Sequence, residues 1–176
     1  MNRLQILLME KRLYGNPIEI KEVKNAYEVY EQMQKLNEYT IKDFLFAHSI
    51  LAKDLIENSG RFRDGDIGVY NGENMIHMGA NPKFVPTLIK DVFDWAKESE
   101  IHPLIKSSIV HYEIEFIHPF QDGNGRIGRL WQTLILTKWN EFLAWIPIET
   151  MIYNYQQEYY EALSKSGSQR RIYYIY

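Results

Sequence analysis

Residues 115–132 read EFIHPFQDGNGRIGRLWQ, placing a histidine, an aspartate, an asparagine, glycines and two arginines between apolar runs. His118 is the group in this stretch suited to act as a general base at neutral pH. Pro119 ends or tightens the preceding helix, and Phe120 has the size and polarity of an inward-turned anchor. Gly123 and Gly125 remove side chains where successive backbone amides would have to converge. Such a turn, opening onto a helix N-terminus near Gly125, is a concavity for anions, and the helix adds its positive end. Arg126 and Arg129 are three apart and share a helical face, so both guanidiniums project towards whatever the amides hold. Two such groups suit a polyphosphate, because each engages phosphate oxygens bidentately. Asp122 would repel that anion unless a cation intervened. Mg²⁺, which binds through one or two carboxylates plus phosphate, resolves the conflict. Asn124 can donate to a phosphate oxygen without adding charge. The set fits phosphoryl or nucleotidyl transfer, with an acceptor hydroxyl losing its proton to His118. The competing reading is a capped inter-helix loop whose Asp and Asn satisfy backbone amides while the arginines face water.

The elements that must position this set are mostly helical. The chain has 176 residues, 45% hydrophobic and 24% charged, enough for one hydrophobic core and one domain over 1–176. Formal net charge is −3, from 20 basic and 23 acidic residues. That balance gives no support to a nucleic-acid partner. The chain has no cysteine, which excludes disulfides and thiol chemistry and argues against structural zinc. No apolar run approaches the length of a membrane span, and the N-terminal MNRLQILLMEKR carries no cleavage signal, so it reads as a helix or helix end in a cytoplasmic protein.

YGNP at 14–17 punctuates the start, and a helix follows with Val23, Tyr27, Tyr30 and Met33 at helical spacing. Thr40 offers an N-cap for IKDFLFAHSILAKDLIEN, in which Phe44, His48, Leu51 and Leu55 share a face, making His48 a packed histidine. Periodicity then breaks into the glycine-rich SGRFRDGDIGVYNGENMIHMGANP, where Asn71 and Gly72 predict a tight hairpin turn. Helical patterns return at VPTLIKDVFDWAKESE, with Pro86 in its first turn, then at PLIKSSIVHYEIEFI and IGRLWQTLILTKWN. ETMIYNYQQEYYEALSKS closes the set. His102 reads as a helix-start residue and His111 as a packing residue. SGSQRR reads as a flexible basic joint, followed by a tyrosine-rich end whose role the sequence leaves open.

HPFQDGNGRIGR, residues 118–129, resembles the signature of the Fic family, H-x-F-x-[D/E]-G-N-G-R-x-x-R, at every specified position. The likeness extends over about 18–163, through VKNAYEVYEQMQKLN, GRFRDGDIGVYNG and YYEAL. It implies a Fic-type helical bundle with a small β-hairpin flap, residues 65–82 covering the flap region and 69–78 the hairpin. It also implies transfer of AMP from ATP to a Ser, Thr or Tyr hydroxyl of a target protein, with release of pyrophosphate. His118 would be the base, Asp122 the Mg²⁺ ligand, and Gly123, Asn124, Gly125, Arg126 and Arg129 the phosphate-binding set, with Phe120 the buried anchor. The flap of such proteins aligns the target by strand addition, making Tyr70 and His77 candidates for target docking. Alternatives within the same fold are de-AMPylation, transfer from another nucleotide, phosphotransfer, or a nucleotide-binding regulatory module without transferase activity.

Many Fic proteins carry an inhibitory segment, [S/T]-x-x-x-E-[G/N], whose glutamate pairs with the second motif arginine. The nearest string here, TKWNEF at 137–142, has Phe142 where Gly or Asn is required and lies in the post-motif helix. The segment is expected to be lost, truncated or supplied in trans by a separate small antitoxin, and Arg129 is then expected to stand free for a γ-phosphate. Self-association into a homo-oligomer is left open.

Overall fold

The computed structural model describes residues 16–71, 73–146 and 148–170. Seven α-helices and one two-stranded antiparallel sheet are found among them: α1 Pro17–Gln32, α2 Ile41–Leu51, β1 Gly68–Asn71, β2 Asn74–Met78, α3 Val85–Glu98, α4 Pro103–Ile117, α5 Asn124–Trp139, α6 Ile148–Asn154 and α7 Gln156–Arg170. The fold is a mostly α-helical bundle with a small hairpin, as the sequence predicts. The expected N-terminal helix or helix end, the hairpin-turn residue Gly72 and the tyrosine-rich C-terminus fall outside the described residues. No described helix is long and apolar enough to cross a membrane.

Local chemistry sets the helix starts. The Asn16 side chain accepts from the Ile18 amide at 3.0 Å with Pro17 in the first turn, and Thr40 accepts from the Asp43 amide at 3.4 Å. His102 caps α4 through the Leu104 amide at 3.3 Å, the role its position before Pro103 suggests. Pro86 lies in the first turn of α3. The helix α5 differs: its N-cap is Gly123, in a left-handed conformation (φ 81°), and no side chain caps its first turn.

The core lies where α2, α3, α4 and α5 meet. Phe44 makes edge-on contacts with Phe93 and Trp131 at centroid distances of 5.3 and 5.0 Å, and Phe120 approaches the same ring at 5.2 Å. All four rings are buried, and the Trp131 indole N–H donates to the Glu38 carbonyl at 2.9 Å. Each such aromatic pair adds about 0.5–1.5 kcal/mol beyond its buried area. The anchor of the site, Phe120, is thus part of the core itself.

Three expectations need correction. The buried face of α1 is Asn25 and Val29, continuing to Met33 and Leu36, whereas Val23 is exposed. The polar Asn25 hid this face: its amide donates to the carbonyls of Leu51 (3.1 Å) and Lys53 (2.8 Å), satisfying the end of α2. The helix α2 stops at Leu51, so Leu55 is off the helical face, and the chain turns away through Asp54 with φ 60°. The last helical pattern is two helices, and α7 runs through SGSQR to Arg170, where a flexible joint was expected.

Candidate functional site

The helix α4 ends at Ile117, and His118 occupies its C-cap in the left-handed region (φ 53°, ψ 62°), with its N–H bonded to the Ile114 carbonyl at 2.9 Å. A non-glycine residue there costs roughly 1–2 kcal/mol. Pro119 disfavours it further, because proline steers its predecessor towards extended backbone. Surrounding structure must therefore impose the turn. The ring nitrogen Nδ1 of His118 faces the Glu115 carbonyl at 3.2 Å, so Nδ1 carries the proton and Nε2 keeps a lone pair. Burial lowers the pKa of His118, with the charges of His77 and Arg63 adding to the effect and the Glu115 carbonyl and Asp122 opposing it. The imidazole is therefore neutral at pH 7, the form that accepts a proton.

Beyond His118 the loop is fixed from inside. The Asn124 side chain is buried and makes two 2.8 Å bonds to the backbone of Phe120, accepting from its N–H and donating to its carbonyl. Its carboxamide is spent on closing the loop. This corrects the expectation that it donates to a ligand, leaving only its main-chain amide for that purpose. Phe120 stacks on His48, with centroids 3.6 Å apart and planes at 4°. Fully buried, His48 accepts from the Gly60 amide on Nδ1 (2.9 Å), so Nε2–H donates to the Asp122 carbonyl at 2.9 Å. Burial pushes its pKa down to about 4, keeping that neutral tautomer. Gly60 has φ 74°, and a Cβ on it would lie 2.6 Å from the Cβ of Ser49, so this bond to His48 requires glycine.

The carboxylate of Asp122 is exposed at the loop mouth, where Oδ1 accepts from the Gly123 amide at 2.6 Å. Among the described residues no group of three or more His, Asp or Glu could hold a metal ion. The donor set instead offers a single carboxylate beside uncapped helix amides, which fits the one-carboxylate mode of Mg²⁺ with phosphate and water as its other ligands.

The two arginines reach back over the first turn but part company. Arg126 meets Glu22 of α1 at 3.0 Å and Asp122 at 3.5 Å. Arg129 lies over Gly125, where a Cβ would stand 2.9 Å from its guanidinium. Its charge acts on Glu115, and it hydrogen-bonds Tyr159 of α7. The expectation of a free Arg129 is thus corrected: the bundle supplies its own partners. Burial pushes Glu115 up to about 7, with Arg129 opposing, and also raises the Tyr159 phenol. His111 shares a 2.8 Å hydrogen bond with that phenol, and burial pushes its pKa down to about 4. Gly128 admits this cluster, since a Cβ there would stand 2.9 Å from Glu115 and 3.0 Å from His111.

Of the hairpin candidates, His77 turns to the body and donates through Nε2 to the Phe116 carbonyl at 2.7 Å, whereas Tyr70 is 62% exposed. A cavity of about 250 Å³ beside the loop is lined by Asn58, Arg61, Asp66 and Gln121 among others. Four residues at the site lay outside the sequence reading: Glu22, Glu115, Tyr159 and Arg63. Glu115 sits one turn before His118 in an apolar run, a signal of burial. No local signal separates the buried Arg63 from the exposed Arg61.

Comparison with known proteins adds four findings. The family model described as the Fic/DOC family matches residues 38–136. The crystal structure of a Fic family protein from Desulfovibrio desulfuricans superposes with a TM-score of 0.88 at 45% identity, covering 95% of this chain and 51% of that one. Protein adenylyltransferase fic-1 of Caenorhabditis elegans is 32% identical over 131 residues, covering 72% of this chain and 24% of the relative. Protein adenylyltransferase Fic of Nematostella vectensis is 30% identical over 139 residues, covering 77% and 30%. The chain thus spans under a third of the length of these two curated relatives.

Proposed function

The chain belongs to the Fic/DOC family, and on that premise we propose that it is a protein adenylyltransferase, moving AMP from ATP to a Ser, Thr or Tyr hydroxyl of another protein. The observation that carries this reading is the start of α5, which has no side-chain cap and is flanked by Asp122, Arg126 and Arg129, with His118 at the other end of the same loop. Uncapped amides at a positive helix end suit phosphate oxygens.

In the proposed reaction Nε2 of His118 takes the proton from the acceptor hydroxyl. The oxygen attacks the α-phosphorus, the bond from that phosphorus to the bridging oxygen breaks, and pyrophosphate leaves. Main-chain amides of 124–126 hold the leaving phosphates, and Arg126 and Arg129 neutralise them. Arg126 exchanges Glu22 for phosphate, and Arg129 shares or leaves Tyr159. Asp122 is the residue that would hold Mg²⁺, whose bound charge would offset that of the phosphates. The hairpin presents the acceptor segment to His118 by adding it as a strand.

The support is twofold: the relatives are protein adenylyltransferases by name, and the base is neutral and oriented. The test is incubation with ATP, Mg²⁺ and a cell lysate, followed by mass spectrometry of hydroxyl side chains. AMP-modified peptides that vanish with His118→Ala are expected. Unmodified lysate proteins, with ATP nonetheless bound, would refute the proposal.

A further inference from the structure

Arg63 lies between α2 and the hairpin, outside the signature, and is 7% exposed. Among the described residues no carboxylate hydrogen-bonds its guanidinium. Four main-chain carbonyls do: Nε donates to His118 at 2.6 Å, one terminal nitrogen to Gly65 at 2.7 Å, and the other to Ala80 at 2.5 Å and Ile117 at 3.2 Å. Its own backbone N–H donates to the Pro119 carbonyl at 3.0 Å. The carbonyls of 117, 118 and 119, the strained turn that carries His118, are therefore all held by one residue. Two of them stand at the negative end of α4, where a cation is favoured.

The same guanidinium reaches the foot of the hairpin. The Gly79 amide donates to Ile67 at 2.9 Å, the Ala80 amide donates to Ile117 at 3.2 Å, and Ala80 returns its carbonyl to Arg63. A Cβ on Gly79 would lie 2.8 Å from the Arg63 guanidinium and 3.1 Å from the Cβ of His118, so hairpin, arginine and histidine meet without spare room.

We infer that Arg63 is the positioning residue of His118, fixing its left-handed turn through the carbonyls of Ile117 and His118 and joining that turn to Ala80, so that the base and the hairpin share one rigid seat. The inference rests on the reading of His118 as base. A lysine cannot substitute: the guanidinium offers five N–H groups in a fixed plane, the ammonium three on a flexible stem. Without the fork, Pro119 returns His118 to extended backbone and carries the ring away from its place.

Charged and titratable groups facing His118 are Arg63, His77 of β2 and Asp122 of the loop, with the Glu115 carbonyl of α4 on its ring. Removing the Arg63 charge therefore raises the pKa of His118, whereas lysine preserves it.

The first test uses the unmodified, isotope-labelled chain and needs no activity. A through-hydrogen-bond coupling from Arg63 Nε to the His118 carbonyl carbon is expected by NMR, with slow exchange of the Nε proton. Absence of the coupling, with exchange as fast as at Arg61, would overturn the inference whether or not the variants fold. In Arg63→Lys and Arg63→Gln, AMP transfer at saturating ATP is expected to fall by roughly ten- to a hundredfold. ATP affinity should hardly move, because His48 and Asn124 secure the phosphate loop. The imidazole titration of His118 is expected to shift upward in Arg63→Gln and stay in Arg63→Lys. Undiminished transfer, or a loss confined to ATP affinity, would contradict the role. If the unmodified chain transfers no AMP, the functional reading fails, while the coupling and the titration still decide Arg63.

Discussion

The loop after α4 and the hairpin of β1 and β2 meet at the hairpin's foot, where Gly79 lies beside His118, and are built in opposite ways. The loop is tied down from inside: Asn124 closes it, His48 holds the Asp122 carbonyl, and Phe120 anchors it in the aromatic core. The hairpin has two short strands, an irregular register after Val69, and exposed Tyr70, Met75 and Met78. It is tied to the body at its foot and through His77. The difference teaches which part of the chemistry tolerates variation. The proposed reaction would need phosphate and proton positions fixed to fractions of an ångström, and the loop's internal bonds meet that need. On the proposed function, an acceptor segment held by main-chain bonds would need only an open edge, and the exposed Tyr70, Met75 and Met78 would be left free to vary.

Substitutions should separate the two regions sharply. Phe120→Ala is expected to cost about 3–5 kcal/mol in denaturant unfolding, whereas Tyr70→Ala should stay within about 0.5 kcal/mol. Equal losses would break the comparison. Asn124→Ala strands the Phe120 N–H and carbonyl in a buried place and should cost about 1–3 kcal/mol, with ATP binding by calorimetry weakened alongside.

Acidity sharpens the contrast on the loop side. The pKa of Glu115 is raised from 4.5 to about 7 in the fold, so the native state keeps a proton that the unfolded chain releases. Its contribution is full below pH 4.5 and is lost as pH rises through 7. His48 and His111 run the other way, lowered from 6.5 to about 4, with stability present above 6.5 and lost as pH falls through 4. Glu115→Gln should therefore gain on the unmodified chain as pH rises through this range, by roughly 3 kcal/mol at neutrality, read from unfolding curves against pH. A constant difference would show that Glu115 does not titrate there. The smallest effect concerns Arg126: its pairing with Glu22 is partly exposed, so Glu22→Gln should tighten ATP binding by only about twofold.

Much of this was legible in residue order. The helix starts followed from the YGNP punctuation at 14–17 and from Thr40, Pro86 and His102, whose side chains act within one turn of themselves. The signature at 118–129 pointed to the candidate site for the same reason, since its residues are joined by local turns. What escaped depends on distant partners. Asn25 is buried because α2 ends beside it, Arg126 and Arg129 diverge because α1 and α7 offer Glu22 and Tyr159, and Arg63 is buried because the ends of α4 and the hairpin converge on it. None of these pairings leaves a mark in the local pattern. Asn124 shows the reverse limit: its place in the signature was clear, but its side chain faces the loop's interior.

The central claim is that His118 directs a hydroxyl onto the α-phosphate. The direct measurement compares ATP labelled at the α-phosphate with ATP labelled at the γ-phosphate, each incubated with the chain, Mg²⁺ and lysate, beside a His118→Ala control. Protein labelled from the α-position only, and not at all with His118→Ala, is the predicted result. Label arriving from the γ-position, or α-label that persists without His118, would contradict it.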